Sequence, residues 1–197
     1  GILGTGTEPV TDFNNITEVL AGKRDWGSVH AFHYWAKHAL GYYSSSNKQV
    51  IRTHMTQLYT AGVDFIIIDL TNAGDNYLGS SAWTDYIEKP MDAIFETIME
   101  MRVEGLGTPY VVFWVGTNDG PLYQALYDRY HAAEKWKDCF VYWDGKPFLL
   151  TTHTYPKDFP LPELFTVRSM WGLSVSYTQG QWSFLSTNNH NRVTRGP

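Results

Sequence analysis

Residues 63–69 constrain the fold more than any other segment of the chain. They read Val-Asp-Phe-Ile-Ile-Ile-Asp, follow Gly62 directly and run into a polar loop at residues 71–76. A strand whose consecutive side chains are nearly all apolar is buried on both faces, which is typical of a parallel sheet covered by helices. The segment therefore predicts a central strand of an α/β protein, with Gly62 ending the preceding helix.

The same strand–helix unit recurs along the chain. Apolar residues at helical spacing predict helices over residues 48–61, 90–103 and 121–137, the first of them capped by Asn47. Strand-like segments alternate with the helices at residues 29–35, 63–69, 110–115, 140–143, 147–152 and 164–171, with a short one at 182–185. Each helical crossover is long enough to join parallel strands, and a tight Asp144-Gly145 turn predicts a hairpin.

These elements predict one parallel α/β domain. We expect an irregular lead-in over residues 1–25, the domain over 26–187 and a polar tail over 188–197. A doubly wound sheet of about five strands fits 197 residues, whereas a (β/α)8 barrel needs about 250 residues and eight strands. Only about five strand–helix units can be counted, so a barrel would imply that the chain is incomplete.

Composition excludes several classes of function. Fifteen Lys and Arg against twenty Asp and Glu give a net charge of −5, which argues against a nucleic-acid partner. The single cysteine, Cys139, excludes a disulfide framework, and the longest apolar run is too short to span a bilayer. Phosphate-loop, dinucleotide-binding and serine-hydrolase motifs are absent, and we expect no cofactor.

Polar and aromatic residues follow the predicted strands at the edge where α/β proteins bind ligands. The candidate site residues at this edge are His33, Tyr34, Trp35, Asp69, Asn72, Trp114, Asn118, Asp119, Arg168 and Trp171. Asp69 is the strongest, because a carboxylate at the end of an apolar strand costs free energy unless it is paired or used. It either contacts a ligand or caps the amides of its own loop.

Other candidates have structural interpretations that we keep open or favour. His33 either contacts a ligand hydroxyl or is a satisfied core histidine, and the aromatic residues either stack on a ligand or fill the core. His30 and His33 lie three apart on a strand and face opposite sides, so we expect no bound metal. Asp144 is interpreted as a turn residue and Cys139 as a buried, inert thiol.

The strand and loop segments resemble (β/α)8-barrel glycoside hydrolases of families 71 and 99 and their polysaccharide-utilisation relatives, which include α-glucanases and endo-α-mannosidases. The similarity covers residues 26–185 and is carried by Phe32-His33-Tyr34-Trp35, Gly41-Tyr42-Tyr43-Ser44, Val50-Ile51-Arg52, residues 61–72 and residues 144–150. The resemblance implies a barrel enzyme that cleaves glycosidic bonds. It matches Asp69 to the acidic position of the second strand and His33 and Tyr34 to sugar-contacting positions.

The resemblance also leaves a gap. Glycoside hydrolysis usually needs two carboxyl groups, and in these families the catalytic glutamates come late in the barrel. None of this chain's eight glutamates falls at the end of a predicted strand. Either Asp69 and Asp119 form an unusual catalytic pair, or the catalytic acids lie beyond Pro197, and we favour the second hypothesis.

We therefore expect a glycoside hydrolase, or its amino-terminal part, that acts on an extracellular or periplasmic polysaccharide, although the chain shows no signal peptide. We expect the remainder of a longer chain as a partner and no membrane span. In this hypothesis Asp69 positions or polarises the sugar, and the other roles fall into three groups. His33, Asn72 and Asn118 bind hydroxyls, Tyr34, Trp35, Trp114 and Trp171 form stacking walls, and Arg168 pairs with a carboxylate of the protein or of an acidic sugar.

Two other classes of function remain open. A non-catalytic carbohydrate-binding domain would account for the aromatic residues and the missing glutamates. A metal-dependent polysaccharide deacetylase would need an aspartate and two converging histidines, and no His-x-x-x-His motif is present.

Overall fold

The computed structural model describes residues 18, 21–23, 39–41, 43–73, 78–116, 120–132, 134–152, 161–170 and 181–182. The strand predicted at 29–35 and the tail at 188–197 lie outside these residues. So do six candidate site residues, namely His33, Tyr34, Trp35, Asn118, Asp119 and Trp171.

The described strands form one mainly parallel sheet. The strands are β1 (Phe65–Leu70), β2 (Tyr110–Val115), β3 (Tyr142–Trp143), β4 (Lys146–Thr151), β5 (Thr166–Met170) and β6 (Gln181–Trp182). Their spatial order is β1-β2-β4-β5-β6, all parallel, and β3 pairs antiparallel with β4 as a hairpin. Each parallel strand thus lies beside its predecessor, without the reversal of order that marks a doubly wound sheet. The predicted α/β class, with a mainly parallel sheet, is confirmed.

Helices connect the strands. They are α1 (Lys48–Thr60), α2 (Ser81–Trp83), a π-helical segment (Thr84–Glu88), α3 (Lys89–Val103), α4 (Gly120–Leu126), a second π-helical segment (Tyr127–Ala132), a 3₁₀ turn (Lys137–Cys139) and α5 (Leu161–Leu164). The side chain of Asn47 accepts hydrogen bonds from the amides of Gln49 and Val50, which confirms it as the cap of α1. Gly62 follows with a φ of +80°, as a glycine that ends a helix should.

The described helices cover one face of the sheet. Residues of α1, α3 and α4 pack with Leu70, Phe113 and Leu149 of the strands in one large core. Val112, Phe148 and Leu150 point to the opposite face and form a second, smaller cluster, to which Trp114 adds its ring. We call this opposite side the second face; it carries the candidate site.

Two predicted boundaries were wrong. The helix predicted over 121–137 is α-helical only to Leu126 and π-helical to Ala132; a turn then places Glu134 at a φ of +51° and buries Trp136. Leu164, predicted to begin a strand, ends α5 instead, and β5 begins at Thr166. In the first case Trp136 packs against Phe95 of α3, a contact between residues distant in sequence that the periodicity of residues 121–137 does not show.

Candidate functional site

One row of side chains crosses the second face of the sheet near the carboxyl ends of its strands. Asp69 on β1 is the register partner of Trp114 on β2. Trp114 is in turn the register partner of Leu150 on β4, and Leu150 is that of Arg168 on β5. Register partners on neighbouring strands, about 4.8 Å apart, project to the same face. The sheet therefore places three predicted site residues that are separate in sequence, Asp69, Trp114 and Arg168, on one face.

Asp69 is exposed at the edge and is held by its own loop. Its Oδ1 accepts a hydrogen bond from the Thr71 amide at 2.9 Å and another from the Thr71 hydroxyl at 2.7 Å. This is the loop-capping arrangement that the sequence left open, and it fixes the direction of the carboxylate. Among the described residues, Oδ2 of Asp69 accepts no hydrogen bond.

The indole of Trp114 is half-buried, with its inner side packed against Val112 and Leu150. Packing of this kind fixes the position of a ring, and an aromatic ring can stack on the apolar face of a ligand. Asn72 is exposed in the loop that follows β1, three residues after Asp69. The described part of the site thus holds a carboxylate, an amide and an aromatic ring.

Arg168 extends in a different direction from the one we expected. Its guanidinium carbon lies 5.4 Å from the centre of the Trp143 ring, and its Nη1 donates a hydrogen bond to the Val167 carbonyl at 2.9 Å. Trp143 belongs to β3, where it pairs with Lys146 at the start of β4. The guanidinium therefore lies toward the amino ends of the strands. Among the described residues, Arg168 forms no ion pair with a carboxylate.

His131 was not identified from the sequence. It is 8% exposed, lies among the rings of Phe113, Tyr127, Phe140 and Phe165, and neither ring nitrogen has a hydrogen-bond partner among the described residues. Burial lowers its pKa to about 3, so the imidazole is neutral at ordinary pH. It belongs to the helix-covered core and not to the second face.

The two residues interpreted as structural behave as expected. Asp144 has a φ of +53° in the turn between β3 and β4, a conformation that Asp tolerates better than most residues. Cys139 is completely buried, and burial raises the pKa of its thiol to about 11. A thiol in this environment is a poor nucleophile at neutral pH.

Among the described residues, no group of three or more His, Cys, Asp or Glu side chains is placed to hold a metal ion. Within the same residues, no helix has the length and apolar character that a membrane crossing needs.

Comparison with protein-family models, curated proteins and solved structures gave no match.

Proposed function

We propose that this chain is a glycoside hydrolase of the (β/α)8-barrel type, acting on a polysaccharide or glycan at the carboxyl ends of its strands. The observation that carries the proposal is that Asp69 and Trp114 are register partners on neighbouring strands and project to the same face of the sheet. The resemblance of residues 26–185 to glycoside hydrolases supports the same class of substrate.

The chemistry of this pair suits a sugar. A pyranose ring has an apolar face of C–H groups, which stacks on an aromatic ring, and a periphery of hydroxyls. A carboxylate accepts hydrogen bonds from such hydroxyls, and the Asn72 amide can donate to them or accept from them. Trp114 would hold the ring and Asp69 would fix its rotation.

The sheet topology supports a barrel. In a (β/α)8 barrel, parallel strands follow one another in sequence order and helices cover one face of the sheet. The described strands and helices have this arrangement. The second face would then be the inside of the barrel, where Asp69 and Trp114 lie at the carboxyl end. Catalytic groups of such barrels occupy that end.

Cleavage requires a second carboxyl group opposite the first. The two groups lie about 5–5.5 Å apart in retaining enzymes and about 6.5–9.5 Å apart in inverting ones. Asp69 is the described member of the pair, and its negative charge would stabilise the positive charge that develops on the sugar ring. Asp119, which follows the neighbouring strand β2 in sequence, is a candidate for the second group.

The proposal is tested by incubating the protein with a panel of α-glucans, α-mannans and other polysaccharides while measuring both binding and the release of reducing ends. Release of reducing ends supports the proposal. Binding without release would instead favour a non-catalytic carbohydrate-binding domain. Release of acetate that depends on added zinc would favour a deacetylase.

The role of Trp114 is tested separately on the glycan found in this way. Trp114→Phe keeps an apolar ring but reduces the stacking area, so we expect KM to rise about threefold to tenfold with little change in kcat. Trp143→Phe, at the amino end of the sheet, is the matched control and should leave KM for a neutral glycan unchanged. Equal KM values for the two variants would contradict a stacking role for Trp114.

A further inference from the structure

A groove lies at the opposite end of the sheet from the proposed active site. It is formed where β4 and β5 begin and has a cavity volume of about 360 Å³, within the range of small-ligand sites of about 300–1,000 Å³. Its lining residues are Asp144, Lys146, Pro162, Phe165, Thr166, Val167 and Arg168. Phe165 is buried beneath the groove, whereas the charged groups stand at its rim.

The groove has two cations, Lys146 and Arg168, and neither forms an ion pair with a carboxylate of the described residues. Elsewhere in the described part of the chain, Lys48, Arg52, Lys89 and Arg129 each form an ion pair with Asp or Glu. Lys146 instead donates to the carbonyl of Pro162 at 2.6 Å, and Arg168 donates to the carbonyl of Val167. Lys146 and Arg168 outnumber the one carboxylate of the groove, Asp144, and this local excess of positive charge on a chain of net charge −5 attracts anions.

The surroundings of Arg168 hold its guanidinium in place. The Trp143 ring lies beneath it at 5.4 Å, and the hydrogen bond to Val167 uses only its Nη1. A guanidinium stacked in this way keeps N–H donors that can bind both oxygens of a carboxylate. Lys146 adds ammonium donors on the other side of the groove.

Asp144 gives the groove an acceptor beside these donors. The left-handed turn at Asp144 and Gly145 places this carboxylate at the mouth of the groove. A simple anion would gain nothing from a neighbouring carboxylate. A ligand with a carboxylate and hydroxyl groups on one ring would satisfy all three charged side chains.

We propose that this groove binds a uronic acid residue of an acidic polysaccharide, with the carboxylate on Arg168 and Lys146 and a hydroxyl on Asp144. The proposal rests on the proposed function only in taking a glycan as the ligand. It adds a carbohydrate site at the amino ends of the strands, apart from the row that contains Asp69.

The test compares trigalacturonic acid with the neutral trisaccharide of the same linkage by isothermal titration calorimetry at low salt. We expect trigalacturonic acid to bind and Arg168→Gln to weaken it about tenfold or more, as loss of a charged hydrogen-bonding group does. Lys135→Gln is the matched control, because Lys135 also lies over a tryptophan ring, at 4.0 Å from that of Trp136, but outside the groove. This control should change the affinity less than twofold.

Three results would overturn the proposal: no binding of trigalacturonic acid, equal effects of the two variants, or equally tight binding of triglutamate. The last result would mean that charge alone is recognised. Hydrolysis measured on the same samples separates this proposal from the proposed function. Arg168-dependent binding without cleavage of any glycan would contradict only the hydrolase, whereas cleavage without Arg168-dependent binding would contradict only this site.

Discussion

His131 shows how one residue can link burial to the pH dependence of stability. Its pKa falls from an ordinary value of 6.5 to about 3 because the aromatic core desolvates the charged form. Below pH 6.5 the unfolded chain therefore takes up a proton at this residue that the folded chain does not. Its contribution to stability is complete above pH 6.5 and declines as the pH falls toward 3.

We predict that replacing His131 with Phe makes the protein less sensitive to acid. Between pH 7 and pH 5 the wild type should lose on the order of 2 kcal/mol of unfolding free energy through this residue, and the variant should not. Urea unfolding of both proteins at the two pH values measures the difference. An identical loss in both would show that His131 is charged or solvated in the folded state.

The reactivity of the Cys139 thiol gives a second prediction that concerns a single residue. The thiol is fully buried and its pKa is raised to about 11, so the reactive thiolate is scarce and shielded. At pH 8 we expect a colorimetric disulfide reagent to leave the folded protein unmodified and to titrate one thiol in urea. Because the chain has one cysteine, fast labelling of the folded protein would directly contradict the burial.

At the scale of elements, α3 joins the helical layer to the sheet through Phe95. This ring is completely buried and contacts Phe113, Tyr130, Trp136 and Phe140 at centroid distances between 5.0 and 6.1 Å. These four residues come from a strand and from the irregular segments after α4. One side chain thus fixes the helix against parts of the chain that have little regular structure of their own.

We predict that Phe95→Ala lowers the free energy of unfolding by about 3–5 kcal/mol, the usual cost of removing a buried ring. Val103→Ala in the same helix is the control, since Val103 is 85% exposed and its loss should cost less than about 0.5 kcal/mol. Denaturant titrations of both variants provide the comparison. Similar costs for the two would mean that α3 does not pack on the sheet as described.

The cap of α1 can be tested in the same way. Asn47 accepts hydrogen bonds from two amides of the first turn, at 3.0 and 3.3 Å. Asn47→Ala should therefore cost about 1 kcal/mol, whereas Asn47→Asp should restore most of the stability. Thermal unfolding of the three proteins tests this, and equal loss in both variants would argue against a capping role.

These elements show what sequence alone can predict. The cap, α1, β1 and β2 depend on neighbours along the chain, and β2 has the predicted bounds of Tyr110–Val115. The break after Ala132 was missed because it depends on the distant residues that bury Trp136. His131 was missed for the same reason, since Phe140 and Phe165 enclose it only in the folded chain.

The site was predictable in position but not in its contacts. Parallel strands bring their carboxyl ends to one edge, so Asp69, Asn72 and Trp114 could be placed there from the sequence. The direction of Arg168 could not, because its side chain reaches back to Trp143, which is 25 residues earlier in the chain. The groove at the amino ends of β4 and β5 could therefore be found only in the structure.

At the scale of the whole molecule, the two ends of the sheet differ in charge and in proposed role. The carboxyl end presents Asp69 beside Trp114, and the amino end presents Lys146 and Arg168 around a groove. If both sites bind one acidic polysaccharide, added salt should weaken binding at the amino end without changing turnover of a neutral glycan. Binding and hydrolysis measured at 20 mM and about 500 mM NaCl would show this difference, and an equal effect on both would contradict two separate sites.

We propose that the Asp69 carboxylate takes part in glycan cleavage. Asp69→Asn is the most direct test, because the amide oxygen can still accept both hydrogen bonds from Thr71 while the negative charge is lost. Asp144→Asn makes the same chemical change in a turn at the other end of the sheet. We predict that kcat on a neutral glycan falls by about 100-fold or more in Asp69→Asn and stays within twofold of wild type in Asp144→Asn. Unchanged kcat in a folded Asp69→Asn protein would contradict the claim.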